Sequence, residues 1–171
     1  MKILITGGAG FIGSHLAERL LEKGNEVFVI DNLWTGRLAN ISKIQNHELL
    51  HLVINTILNE SVMNELIFKA DQIYHLAAAV GVRNIMDHPV ETLDTNVKGT
   101  EVVLRLANQF KKKVFIASTS EIYGKHESTI CRKMTIGLWG RSKNDGGPMP
   151  VPKHWMSFKP LPILTKKNYP C

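Results

Sequence analysis

Residues 1–31, MKILITGGAGFIGSHLAERLLEKGNEVFVID, decide the fold. Lys2–Thr6 is a short apolar run that enters a glycine turn, the pattern of a buried parallel strand. Phe11–Lys23 carries Ile12, Leu16, Leu20 and Leu21 at helical spacing, and Gly24 supplies a stop. Glu26–Ile30 is apolar, rich in valine and isoleucine, and ends at Asp31, so it reads as a second strand. A strand, a glycine turn, a helix and a second strand make a βαβ unit.

The alternation continues. Leu49–Ile54 reads as a third strand and Ser61–Phe68 as a short helix with Ser61 as its N-cap. Gln72–His75 is a fourth strand that runs into the small residues Leu76, Ala77, Ala78 and Ala79. His88–Pro89 opens a long helix to about Phe110, with proline in the first turn, where its missing N–H costs nothing. Val114–Ala117 is a fifth strand, followed by Ser118, Thr119 and Ser120. The expected architecture is α/β, a doubly wound parallel sheet of Rossmann type. Ligands of such sheets bind beyond the carboxyl ends of the strands, where Thr6, Gly7, Asp31, His75 and Ser118–Glu121 fall.

Composition narrows the function. The 171 residues are 44% hydrophobic and 21% charged, which suits a folded domain and excludes a disordered chain. Cys131 and Cys171 are too few for a disulfide framework or a four-cysteine zinc site. No apolar run reaches the ~18 residues of a membrane span, and Ile3–Ile5 is too short for a signal peptide core. The expected setting is therefore reducing and cytoplasmic, without a membrane partner. The net charge of +6 is concentrated at one end. Residues 1–129 hold thirteen basic and fourteen acidic residues, whereas residues 130–171 hold eight basic residues, one acid (Asp145) and six of the seven prolines. The basic charge thus describes a tail, not an ordered basic face, and nucleic acid is not an expected partner.

The glycine turn carries the strongest chemistry. Gly8, Gly10 and Gly13 satisfy G-x-G-x-x-G, and Gly7, Gly10 and Gly13 satisfy T-G-x-x-G-x-x-G behind Thr6. Glycines let the backbone approach a pyrophosphate, whose charge meets the amides at a helix N-terminus. Asp31, about 20 residues on, can accept hydrogen bonds from the adenosine ribose and would repel a 2′-phosphate, which favours NAD over NADP. Arg37 is the one nearby residue that could accommodate that phosphate. Other polar features have plain structural readings. His75 suits packing beside a cofactor, since no cluster has metal-ligand spacing. Lys111–Lys113 complements a helix dipole, Ser118 and Thr119 can cap a strand end, and Arg83 suits either a surface or a substrate phosphate.

TGGAGFIGSHL, DNLWTGR, HLAA, TNVKGT and ASTSEIYG, in this order over residues 1 to about 129, resemble the extended short-chain dehydrogenase/reductases. That family includes nucleotide-sugar epimerases, 4,6-dehydratases and UDP-glucuronate decarboxylases. The resemblance implies that Gly7, Gly10, Phe11, Ile12 and Gly13 surround the pyrophosphate. It implies that Asp31, Asn32, Thr35 and Gly36 hold the adenosine ribose, while Thr56 and Ile57 replace an acidic pair common on the adenine side. Leu76, Ala77, Ala78 and Ser118 would line the cofactor, with Asn96 bracing the long helix. Thr119, Ser120 and Glu121 would face the sugar of a nucleotide-diphosphate sugar oxidised transiently at C4. Glu121 resembles the dehydratase and decarboxylase pattern, and Ser120 departs from the aspartate of the dTDP-glucose dehydratases; T-S-E is common to the GDP-mannose dehydratases and the UDP-glucuronate decarboxylases, so the resemblance leaves both open. Members of the family often form homodimers through long helices such as His88–Phe110.

The family's proton-abstracting tyrosine sits in Y-x-x-x-K, and none of Tyr74, Tyr123 and Tyr169 has a lysine four residues on. From Ile130 the chain also loses αβ alternation and is expected to be irregular, leaving an incomplete core with an exposed edge. A reading-frame slip would account for both, with a natural tail of unrelated role as the alternative. The codons of Gly147–Phe158 (GPMPVPKHWMSF), read one base earlier, permit W-S-Y-A-C-S-K-A-L-D-E-F, which contains the missing motif. The coding nucleotide sequence tests this: a stop codon in the overlapping frame refutes it. The expected function is the NAD-binding portion of a nucleotide-sugar-modifying enzyme, inactive as this truncated chain; a non-catalytic NAD-binding module is the alternative.

Overall fold

The computed structural model describes residues 1–118. Five parallel strands form one sheet in the order β3-β2-β1-β4-β5: β1 Lys2–Thr6, β2 Glu26–Asp31, β3 Leu50–Ile54, β4 Gln72–His75 and β5 Lys113–Ile116. The order reverses at β1, which is flanked by β2 and β4. The register brings Thr6 level with Ile30 on one side and His75 on the other, so three strand ends meet at one crevice.

Alternation along β1 divides the core. Ile3 and Ile5 pack with Val27, Val29, Ala17, Leu21, Ile41 and Ile44 beneath α1 (Phe11–Glu22) and a 3₁₀ turn at Leu38–Ile41. Leu4 faces the other way, into Ile30, Met63, Ile67, Ile73, Val103 and Leu106, beneath α2 (Glu60–Lys69) and α5 (Gly99–Gln109). Helices therefore cover both faces, and the parallel, doubly wound expectation holds.

Three local readings change. The buried side of α1 is Gly13, Ser14, Ala17 and Leu21, whereas Phe11 and Ile12 are 78% and 66% exposed. Small residues face inward because the first turn of α1 presses on the glycine loop. The cap of α2 is Asn59, whose Oδ1 accepts from the Val62 amide at 3.3 Å, so Ser61 lies inside the helix. The segment read as one helix from His88 is preceded by a separate α3 (Val82–Asp87). It then runs as α4 (Pro89–Leu93), a π-helical turn at Asp94–Lys98, and α5. A π turn inserts a residue into the helical repeat, which the 3.6-residue spacing of apolar positions does not reveal. β5 forms one edge of the sheet, with Phe115 and Ile116 about half exposed. The tail from residue 130 lies outside the described residues.

Candidate cofactor groove

β1 delivers the chain to Gly7, which has φ +73°, a conformation glycine adopts without strain. Its amide donates to the Ile30 carbonyl at 2.8 Å, and a Cβ there would lie 2.7 Å from the Ala77 nitrogen. Both neighbouring strand ends therefore press against this one residue. The loop closes as the Gly10 amide donates to the Gly7 carbonyl (3.2 Å), and Ser14 N–H then donates to the Gly10 carbonyl (3.0 Å). Gly10 is the N-cap of α1 and provides no side-chain oxygen, so the helix's first amides are left to an external acceptor.

Asp31, at the end of β2, is tied to the loop directly. Its Oδ2 accepts from the Ala9 amide (2.9 Å) and its Oδ1 from the Leu33 amide (2.8 Å). Two of its roughly four acceptor positions are thus occupied, which orients the carboxylate and leaves the others for a ligand. The turn beyond it needs Leu33 at φ +59°, and a Cβ on Gly36 would lie 2.8 Å from Asp31 Oδ1. The carbonyl of Ala9 accepts from the Arg37 amide (3.0 Å) and from Asn40 Nδ2 (2.7 Å), so the glycine loop is held from the β2 side by three residues.

These elements enclose a groove of about 430 Å³. Of the expected residues, Gly7, Gly10, Phe11, Ile12, Gly13, Asp31, Asn32, Thr35, Thr56, Ile57, Leu76, Ala77 and Ala78 line it. Gly36 does not; it packs under the Asp31 carboxylate. Asn96 also stands behind the wall: its Oδ1 accepts from Ala79 N–H (2.8 Å) and its Nδ2 donates to the Ala79 carbonyl (3.1 Å). Ser118 is exposed and off the lining, whereas its neighbour Ala117 is part of it. Thr119, Ser120 and Glu121 lie outside the described residues. Sequence reasoning missed Trp34, Asn55, Val80 and Thr95, which also line the groove. Asn55 follows β3 and was discoverable from the rule that ligands gather at strand carboxyl ends. Thr95 lies in the π turn, which carried no sequence signal.

His75 is buried and absent from the lining. Its Nδ1 lies 2.7 Å from Thr6 Oγ1 and its Nε2 lies 3.0 Å from Thr100 Oγ1. Burial lowers its pKa to about 4, so the ring is neutral near pH 7. Among the described residues no cluster of three His, Cys, Asp or Glu side chains could hold a metal ion. No described helix is long and apolar enough to cross a membrane.

A family model described as GDP-mannose 4,6 dehydratase matches residues 4–137. UDP-glucuronic acid decarboxylase 1 of Danio rerio is 45% identical over 126 residues, 74% of this chain and 29% of that protein. UDP-N-acetyl-alpha-D-glucosaminuronate decarboxylase of Bacillus cytotoxicus is 43% identical over 124 residues, 72% of this chain and 38% of that protein. The crystal structure of a dTDP-glucose 4,6-dehydratase from Streptomyces venezuelae, with NAD and TYD bound, superimposes with a TM-score of 0.71 at 31% identity. That superposition covers 79% of this chain and 44% of the dehydratase. The chain thus spans less than half the length of these relatives. Motifs, parallel sheet, glycine loop and family model agree, and the chain belongs to the extended short-chain dehydrogenase/reductase family of nucleotide-sugar epimerases, dehydratases and decarboxylases.

Proposed function

We propose that this chain is the NAD-binding portion of a nucleotide-sugar-modifying enzyme, and that UDP-glucuronate is the substrate class of the complete enzyme. The observation that carries the first part is the Asp31 carboxylate, held by the Ala9 and Leu33 amides at the mouth of the glycine loop. The donor set suits a dinucleotide. Amides at the start of α1 face a pyrophosphate, Asp31 accepts from ribose hydroxyls, and Gly7 and Gly13 have no space for a side chain. Asp31 also disfavours a 2′-phosphate by like-charge repulsion, so NAD is preferred to NADP. Bound NAD supplies a hydride acceptor for the sugar, C4 being the carbon oxidised in this family. Leu76, Ala77 and Ala78 leave space for the nicotinamide half, and Thr119, Ser120 and Glu121 keep the sugar-facing roles that the resemblance implies. UDP-glucuronate is favoured because decarboxylases of UDP-glucuronic acid are among the relatives, at 45% and 41% identity.

The absence of Y-x-x-x-K from the 171 residues makes NAD binding without turnover the expected behaviour of this chain. Calorimetry with NAD and NADP, beside assays with UDP-glucuronate, UDP-glucose and GDP-mannose, tests the reading. NAD is expected to bind at least about tenfold more tightly than NADP, and Asp31→Asn to narrow that gap, because it removes the repelling charge. A folded protein that does not bind NAD overturns the proposal; turnover of any of the three sugars overturns only the non-catalytic part.

A homodimer is part of the same reading. Val90, Leu93 and Val97 recur at helical spacing along α4 and the π turn and are 67%, 51% and 43% exposed. A second copy of the same stripe would bury them. Light scattering is expected to report a dimer and Leu93→Asp a monomer; a monomeric parent refutes the pairing.

A further inference from the structure

The wall of the groove from Leu76 to Val80 is irregular backbone: the Leu76 amide still donates to the Thr6 carbonyl of β1 (3.1 Å), and beyond it the amides need other partners. Side chains supply two of them. Thr6 Oγ1 accepts from the Ala77 amide (3.2 Å), and Asn96 brackets Ala79 through both its N–H and its carbonyl. His75 lies between these two clamps, bonding Thr6 directly and reaching Asn96 through Thr100.

The direction of each proton follows from the partners. Thr100 Oγ1 donates to the Asn96 carbonyl at 2.7 Å, so it can only accept from the imidazole. His75 Nε2 must therefore carry the hydrogen, and Nδ1 is left as an acceptor for the Thr6 hydroxyl, which is already an acceptor for Ala77. With this tautomer each hydroxyl accepts one bond and donates one. The opposite tautomer would leave Nε2 and the Asn96 carbonyl competing for the single Thr100 proton. The chain runs from Ala77 N–H through Thr6, His75 and Thr100 to the π turn that carries Asn96. It joins the end of β1 to the helix behind the wall. The π turn also contributes Thr95 to the groove, so the chain reaches the lining at both ends.

We propose that His75 is a positioning residue, held as the Nε2–H tautomer by Thr6 and Thr100, that couples the Ala77 clamp to the Ala79 clamp and sets the wall of the groove. The effect on ligand affinity rests on the reading of the groove as the NAD site; the tautomer and the coupling do not.

The test uses the full 171-residue chain labelled with ¹⁵N. Long-range ¹H–¹⁵N spectra are expected to show His75 as the Nε2–H tautomer at pH 7. Thr100→Val removes the hydroxyl with little change in shape. It is expected to speed amide exchange at Ala79 by about tenfold and to weaken NAD binding about fivefold, the value of one net hydrogen bond. Exchange at Ile3–Ile5 is expected to stay unchanged, which separates local release from global unfolding, and Thr100→Ser is expected to restore both readouts. An Nδ1–H tautomer in the parent overturns the proposal. So does a Thr100→Val protein whose Ala79 exchange matches the parent's. If the parent does not bind NAD, the groove reading fails, while the tautomer and exchange rates still decide this inference.

Discussion

Acidification from pH 6.5 to pH 4 is expected to remove about 2–3 kcal/mol of folding stability through His75 alone. The folded protein holds this imidazole neutral down to about pH 4, because burial removes the water that would solvate the cation. The unfolded chain takes up the proton at the ordinary value of 6.5. Within that window the unfolded state binds more protons, so stability falls as pH falls. Above 6.5 and below 4 this group contributes no further slope. Urea midpoints measured at pH 7 and pH 4.5 check the expectation. His75→Phe keeps a ring of similar size, cannot titrate and is expected to flatten the dependence at lower overall stability. Equal slopes in the parent and His75→Phe would show that other groups carry the acid sensitivity.

The second large effect is at Gly13. Alanine there gains about 1 kcal/mol of helix propensity, since the residue lies in the first turn of α1. Against this, its Cβ would overlap the Gly7 carbonyl oxygen and lie 2.7 Å from Gly8 Cα. Both neighbours are main chain, so no flexible side chain can move aside. Overpacking of this kind costs about 1–3 kcal/mol and moves the loop away from α1. The larger consequence falls on the proposed cofactor. A charge-assisted hydrogen bond from an amide is worth about 1.5–3 kcal/mol, so misaligning two of them weakens NAD binding on the order of a hundredfold or more. Gly24→Ala is the matched control. Gly24 also has a positive φ (+73°), yet nothing lies within 4 Å of its added Cβ. It is expected to cost about 1 kcal/mol of stability from the backbone alone and to leave NAD affinity unchanged. Calorimetry together with urea titration separates the two; equal NAD affinities for both variants would show that the glycine loop does not contact the ligand.

Asp31 and His75 show where sequence reading succeeds and where it stops. Asp31 was recognisable because its role depends on chain-local features: a strand end, a glycine turn one strand away and a fixed spacing between them. Its anchoring by Ala9 and Leu33 was not, since side-chain hydrogen bonds depend on how β2 docks beside the loop. His75 read as a packing residue, which its burial supports. Its two hydroxyl partners lie 69 and 25 residues away along the chain, and no local pattern joins them.

The alternation of five strands with helical segments, the glycine loop and the acid one strand over were determined by the sequence alone, because periodicity, turn chemistry and parallel crossover rules act over short stretches of chain. Tertiary structure decided which face of α1 is buried, where the long helix takes its π turn, and how Thr6, His75, Thr100 and Asn96 are wired together. Those outcomes depend on close approach between segments far apart in sequence, where a fraction of an ångström between backbones decides which contacts and hydrogen bonds can form.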